Sequence, residues 1–240
     1  MNDPPKLDNS TKSALSAVSV ASITTALFRR GFHNTFIGGL TLINPDAQRM
    51  VGEAFTLRYI PAREDLDRLD VFRDQSHPQR LAIETIPPGS VLMIDSRQDA
   101  SAASAGAILL QRLAVRGAAG AVTDGGFRDT PDIARLHFPA YHRQPTAPTN
   151  LIKHHAIDIN VAIGCGGVAV YPGDVVVGDA EGVVVIPSHL ATEVAQDCLE
   201  MERFEAFAQE QVSVGRSILG LYPPDDETAA EYEQWIRTRQ

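Results

Sequence analysis

Gly117-Ala-Ala-Gly-Ala-Val-Thr-Asp124-Gly-Gly-Phe-Arg128-Asp129-Thr-Pro-Asp132 is the stretch whose reading decides the fold. Ala119 to Thr123 is a short apolar run of the kind that forms a buried strand. The run ends in Asp124, Gly125 and Gly126 bend the chain, and the adjacent Arg128 and Asp129 follow. Asp129-Thr130-Pro131 has the pattern of a helix start, with Asp as N-cap and Pro at the first helical position. This reading brings Asp124, Arg128 and Asp129 together at the carboxyl end of a strand, where open α/β sheets hold their ligands.

Working outward, Pro87-Pro88-Gly89 is a turn and Val91 to Asp95 a second buried strand that also ends in a carboxylate. A helix is predicted from about Ser101 or Ser104 to Arg116, closed by Gly117. Strand, helix and strand over this distance make a βαβ unit, so the two strands are expected to run parallel with Asp95 and Asp124 at one edge. If the helix begins near Ser104, the amides of Gly106 to Ile108 lie in its first turn without internal partners and can receive a small anion. The same residues also read as a small-residue helix packed on its sheet.

Upstream, the apolar stretch Ala14 to Phe28 mimics a signal peptide. Asp3 and Asp8 precede it, Ser and Thr interrupt it, and Arg29-Arg30 stand where a cleavage site belongs. It reads as one helix ending at Gly31. His33 to Pro45 is turn-rich, and Met50 to Ile60 is a strand in which Gly52 marks a bulge. Pro61 to Gln75 is a charged, solvated face with Leu66, Leu69 and Phe72 at helical spacing. Beyond Ile133, β-branched runs at 156–163, 168–171, 174–177 and 182–186 read as a β-rich half with tight turns. Ser188 then caps a long helix over 189–211. A last amphipathic helix over 228–239 carries Tyr232, Trp235 and Ile236 on one side. Residues 1–12 are expected to be a flexible arm, 13–222 one α/β domain, and 223–240 a tail holding that helix.

The chain of 240 residues, 44% hydrophobic and 21% charged, has the composition of a globular domain with its own core. Its net charge of −9 argues against nucleic acid as a partner. No run is long enough to cross a membrane, so none is expected as a partner. Cys165 and Cys198 lack metal or redox spacing and read as free thiols in a reducing compartment, the cytoplasm. Gly164-Cys165-Gly166-Gly167 is best read as a tight turn. His154 and His155 face opposite ways on a strand and are expected to be exposed.

The Arg128–Asp129 pair admits two readings: a capping Asp beside a surface Arg, or a ligand site. Gly125 and Gly126 suit close backbone approach. Asp124 and Asp132 add oxygen ligands for a hard cation such as Mg²⁺. Arg128 stays charged and suits an oxyanion or carboxylate.

The segment from Gly117 to Asp129, ending Asp-Gly-Gly-Phe-Arg-Asp, resembles the signature of the family of 4-hydroxy-4-methyl-2-oxoglutarate aldolases and the regulator of ribonuclease E activity A. Val170 to Asp174 with Gly178 to Pro187 is similar to that family's second signature, and the likeness runs from about Leu15 to Arg203. The resemblance implies a compact α/β fold, a β-rich core flanked by helices in an αββα-type sandwich. To this the chain adds helical N- and C-terminal extensions. It also implies homotrimers or hexamers with sites between subunits. The implied activity is a divalent-metal-dependent pyruvate aldolase, using Mg²⁺, Mn²⁺ or another divalent cation, that also decarboxylates oxaloacetate. The alternative is a non-catalytic protein that regulates a ribonuclease.

Carried over by position, Asp129 holds the metal, Arg128 contacts the keto oxygen and stabilises the enolate, and amides of Gly106, Ala107, Ile108 and Leu109 grip the pyruvate carboxylate. Asp124 is the third expected catalytic residue. The family's aldolases carry an acid where this chain has Ala107. The expected substitutes are Asp124, Asp95, or Glu202 or Glu205 from a neighbouring subunit. The other half of the 2-oxo acid substrate is expected to face loops such as 137–150.

Overall fold

A computed structural model describes residues 6–239. Two helices open the chain, α1 (Asn9–Ala17) and α2 (Val20–Arg29). The single helix expected here is broken at Val18, because Ser19 is extended and caps α2 by accepting from the Ser22 amide. Gly31 does close α2 in a left-handed turn, at φ +83°. Of the expected arm, residues 1–5 lie outside the described residues. Asp8 already caps α1, accepting from the Ser10 and Thr11 amides.

The strands β1 (Phe36–Ile37), β2 (Thr41–Leu42) and β3 (Met50–Pro61) follow, then α3 (Pro78–Thr85), β4 (Val91–Asp95) and β5 (Ala103–Ala105). Next come α4 (Ala107–Val115), β6 (Gly120–Thr123), β7 (Gly126–Phe127), α5 (Thr130–Ala134), β8 (Ala140–His142) and β9 (Gln144–Pro145). The β-rich half is β10 (His154–Ile159), β11 (Ile163–Cys165), β12 (Val168–Val170), β13 (Val175–Gly178) and β14 (Val183–Ile186). The chain closes on α6 (Ala191–Ser213) and α7 (Asp226–Arg237).

The fold is mixed α/β, a curled sheet flanked by helices. Nine strands pair in the order β1-β14-β13-β3-β4-β6-β8-β2, with β10 also on β3. The expected βαβ unit is present: β4 and β6 are parallel, Ile94 opposite Thr123. Long β3 organises the sheet. Its first part pairs with β13, its middle with β4, and its end with β10.

Strands β13 and β14 are all-apolar because both faces are covered. On one side α1, α2 and α6 bury Leu15, Ile23, Leu27 and Val194 against Val177 and Val184. Nearer β4, helices α3 and α4 bury Ile83, Leu110 and Leu113 against Leu57 and Leu92. Neighbours of Leu92 point the other way, so Val91 and Met93 pack with Met50, Val122, Tyr141 and Val170.

Gly52 marks no bulge. It pairs regularly with Val176, and a Cβ there would lie 2.2 Å from the Gly89 carbonyl oxygen. The irregular register lies between Ala156 and Asp158 instead. Two backbones meet at Gly52 and neither can rotate away, so Gly52→Ala is expected to destabilise by about 2 kcal/mol or more. An unchanged urea midpoint would remove this contact from the account.

Over residues 61–75 the helical spacing yields only a 3₁₀ turn, Leu69–Arg73, with Leu69 exposed. Ser188 starts another 3₁₀ turn and makes no side-chain cap. The aromatic face of α7 docks on α6, with Tyr232 edge-on to Phe204 and Trp235 edge-on to Phe207. Among the described residues no helix is long and apolar enough to cross a membrane.

Candidate functional site

A second, three-stranded parallel sheet, β5-β7-β9, builds the site. Ala105 lies opposite Phe127, and the Arg128 amide donates to the Ala105 carbonyl at 3.1 Å. The next residue of each strand, Gly106 and Arg128, therefore sit side by side. A Cβ on Gly106 would lie 2.6 Å from Asp129 Oδ2 and 2.9 Å from Arg128 Cγ, so any larger residue there would push these two side chains aside. The glycine that lines the cleft is Gly106. Gly125 and Gly126 serve packing, since a Cβ would meet Ser96 at 2.7 Å and Thr146 at 2.4 Å respectively.

Asp129 precedes α5 but does not cap it with its side chain. Its backbone is left-handed, φ +59° and ψ 35°, a conformation that gathers at functional sites. This turns the carboxylate toward α4, where Oδ2 accepts from the Ala107 amide at 3.3 Å and lies 3.4 Å from Arg128 Nε. Helix α4 starts at Ala107, later than the expected Ser101 or Ser104, because 103–105 are held extended by pairing with β7.

Of the four expected anion-binding amides, Leu109 is engaged, donating to the Gly106 carbonyl at 3.1 Å. Ala107 is shared with Asp129, while Gly106 and Ile108 donate no hydrogen bond among the described residues. These groups open into a cleft of about 270 Å³ that Phe72, Arg80, Thr149 and Asn150 also line. Arg80 and Asn150 are not legible in the sequence as site residues. No local pattern brings α3 or the 3₁₀ turn at Asn150–Ile152 to this cleft.

The family model described as "RraA-like: Aldolase/RraA" matches residues 20–185. The chain belongs to the RraA-like family. A protein of Halalkalibacterium halodurans, carrying the provisional name 4-hydroxy-4-methyl-2-oxoglutarate aldolase, is 44% identical over 100 residues, 42% of this chain and 47% of that one. Protein DlpA of Legionella pneumophila is 24% identical over 75% of this chain and 29% of its own length. The chain thus spans about half or less of these curated relatives' length. The crystal structure of Streptomyces coelicolor RraAS2, described as an unusual member of the RNase ES inhibitor RraA family, superposes with TM-score 0.75 at 27% identity. That match covers 85% of this chain and 98% of RraAS2. A protein of Pseudomonas syringae shares the fold, with TM-score 0.77 at 24% identity over 91% of this chain and 99% of that one.

In this RraA-like chain Asp124 does not join the pair. Its side chain is fully buried and accepts from the amides of Ser96 (2.6 Å), Gln98 (3.0 Å) and Gly166 (2.9 Å). Burial pushes its pKa up while those amides pull it down. Within the chain the other expected carboxylates have partners of their own. Asp95 accepts from the Arg97 amide, Asp132 pairs with Arg135, Glu202 accepts from the Ser19 amide, and Glu205 accepts from the Tyr222 hydroxyl. The expectation of exposed histidines also fails: His154 is buried against Tyr59, whereas His155 pairs with Asp67 at 2.7 Å. Both thiols are free and buried, and Gly166 and Gly167 form the β11–β12 turn.

Among the described residues no three His, Cys, Asp or Glu side chains gather as a metal cage, and Asp129, partly exposed, is the one carboxylate that lines the cleft. A single exposed carboxylate fits an ion that keeps most of its waters, as Mg²⁺ does, and does not fit a closed zinc site.

Behind β7, His142 stacks on Phe127 with ring centroids 6.0 Å apart, and its Nδ1 accepts from the Phe127 amide at 3.4 Å. Burial lowers its pKa to about 4. The unfolded chain then takes up this proton first, so stability is lost as pH falls from about 6.5 toward 4. Between pH 7 and pH 5 this group is expected to contribute a loss of about 2 kcal/mol. Urea midpoints at the two pH values, compared with those of His142→Asn, check it; an equal slope in both proteins would contradict it.

Proposed function

We propose that this protein is a divalent-metal-dependent pyruvate aldolase and decarboxylase. Its substrates would be a 4-hydroxy-2-oxo acid, such as 4-hydroxy-4-methyl-2-oxoglutarate, or oxaloacetate. The reading rests on one observation: Arg128, Asp129 and the free amides at the start of α4 converge on one cleft.

The Gly106 and Ile108 amides, at the positive end of α4, receive the carboxylate of the pyruvate half. Arg128 donates to the keto oxygen. Breaking the bond β to that ketone leaves negative charge on this oxygen, which the fixed guanidinium stabilises more than it stabilises the ketone. Asp129 is the residue that would hold the divalent ion, with water and substrate completing its shell. When bound, such an ion supplies Lewis-acid polarisation of the keto group. Gly106 keeps this arrangement open by leaving room for the Asp129 carboxylate.

Coupled pyruvate release from oxaloacetate and from 4-hydroxy-4-methyl-2-oxoglutarate, with Mg²⁺ or Mn²⁺ and again with EDTA, tests the reading. Turnover that EDTA abolishes is expected. No turnover of either acid with either metal would overturn it. The likeness to RraAS2 supports a second reading, a protein that binds a ribonuclease; inhibition of a ribonuclease by a chain lacking turnover would favour it. As in the family, assembly into homotrimers or hexamers is part of the proposal.

A further inference from the structure

The cleft that Arg128 lines also carries a second cation, Arg80, that no carboxylate neutralises among the described residues. Arg80 sits in the first turn of α3, where the helix dipole disfavours positive charge. Among the described residues its guanidinium donates no hydrogen bond and faces no carboxylate within ion-pair distance, although the chain carries a net charge of −9. It is nevertheless held in place, with its guanidinium carbon 4.4 Å from the centroid of the Phe72 ring. Phe72 is in turn braced edge-on by buried His77 at 5.3 Å. The preceding residue, Gln79, is pinned by donating to both the Tyr59 hydroxyl and the Ser104 carbonyl.

A second observation points to the same place. Asn150 is 6% exposed and lines the cleft. Its Oδ1 accepts from the Thr149 hydroxyl, but its buried Nδ2 has no hydrogen-bond partner. A buried donor without a partner is costly, and an arriving acceptor removes that cost. The cleft therefore is lined by two guanidinium groups against one carboxylate, and by Asn150 with its orphaned amide donor.

We infer that Arg80, supported by Asn150, is the specificity-determining residue that selects the far carboxylate which both proposed substrates carry at the end distal to the keto acid. The inference rests on the proposed function, in which Arg128 and the α4 amides take the 2-oxo acid end. Arg80 then receives the far carboxylate from its place on Phe72, which leaves the planar edge of the guanidinium available for two parallel hydrogen bonds. Asn150 contributes a third donor as the side chain adjusts to the ligand.

Two non-cleavable probes of equal chain length separate this role from catalysis. 2-Oxoglutarate ends in a carboxylate and 2-oxopentanoate in a methyl group. With Mg²⁺ in excess, calorimetric titration of the full chain is expected to show 2-oxoglutarate bound roughly tenfold more tightly than 2-oxopentanoate, the scale of a partly solvated charge-assisted contact. Arg80→Met is expected to erase that preference and leave 2-oxopentanoate within about twofold of wild type, while Arg80→Lys keeps part of the preference. Asn150→Asp, which opposes an incoming carboxylate, is expected to weaken 2-oxoglutarate selectively. Equal binding of the two probes by wild type, binding of neither, or an equal loss of both in Arg80→Met would overturn the inference. The pyruvate-release assay stands apart: intact discrimination without turnover removes the aldolase reading and leaves the carboxylate subsite in place.

Discussion

Replacing Arg128 with Ala is expected to lower pyruvate-releasing turnover by about two to three orders of magnitude, the usual cost of one oxyanion partner. The side chain sits beside Gly106 and Asp129 at the mouth of the cleft, and its partial exposure means that little of the fold depends on it. The loss should therefore fall on kcat, with the urea midpoint nearly unchanged. Arg128→Lys keeps a charge but not the planar fork, so it should recover only part of the rate. Steady-state pyruvate release at saturating oxaloacetate or 4-hydroxy-4-methyl-2-oxoglutarate measures this. A fall of under about threefold would take Arg128 out of the chemistry, because a contact made to developing charge costs far more than that when removed.

Part of the basis for that expectation is legible in the amino-acid sequence. The apolar runs at 91–95 and 119–123 are bounded by Pro and Gly and end in carboxylates, and they do form parallel neighbours. The Arg128–Asp129 pair is legible for the same local reason, a strand followed by glycines and then charge. What a local pattern cannot show is a cap supplied from a distance. Gly106, the N-cap of α4, has no side chain, and the Ala107 amide is met by Asp129, 22 residues further along. By residue type Ser101 and Ser104 are the better caps. The pairing of 103–105 with β7 keeps that segment extended and moves the helix start past both. His154 is illegible for a similar reason: its burial comes from the Tyr59 ring and the Ala102 carbonyl, which only the folded chain brings near it.

Asp124 departs furthest from the expectation of a site at the strand end, and the structure gives it a different, testable job. Asp124→Ala is expected to destabilise the protein by roughly 3–5 kcal/mol, since three amides, that of Ser96 buried and those of Gln98 and Gly166 partly so, each lose a partner worth about 1–3 kcal/mol and water can reach only some of them. Those amides belong to two separate segments: the loop after β4, which supplies Ser96 and Gln98, and the β11–β12 turn. Within that loop Arg97 and Gln98 are consecutive left-handed residues, at φ +60° and +59°, a conformation that the carboxylate helps to hold. The Asp124 main-chain carbonyl also accepts from Arg143 Nε at 2.8 Å, so the backbone at this position ties in a third segment that the substitution leaves alone. The variant should therefore remain foldable but melt earlier, with kcat of the folded fraction within about threefold of wild type, a bound set by the absence of any contact between Asp124 and the transition-state charge. Urea titration alongside steady-state pyruvate release separates the two possibilities. If the midpoint stayed put while kcat fell as far as in Arg128→Ala, Asp124 would belong to the reaction after all, and the account of a carboxylate spent on holding loops together would be wrong.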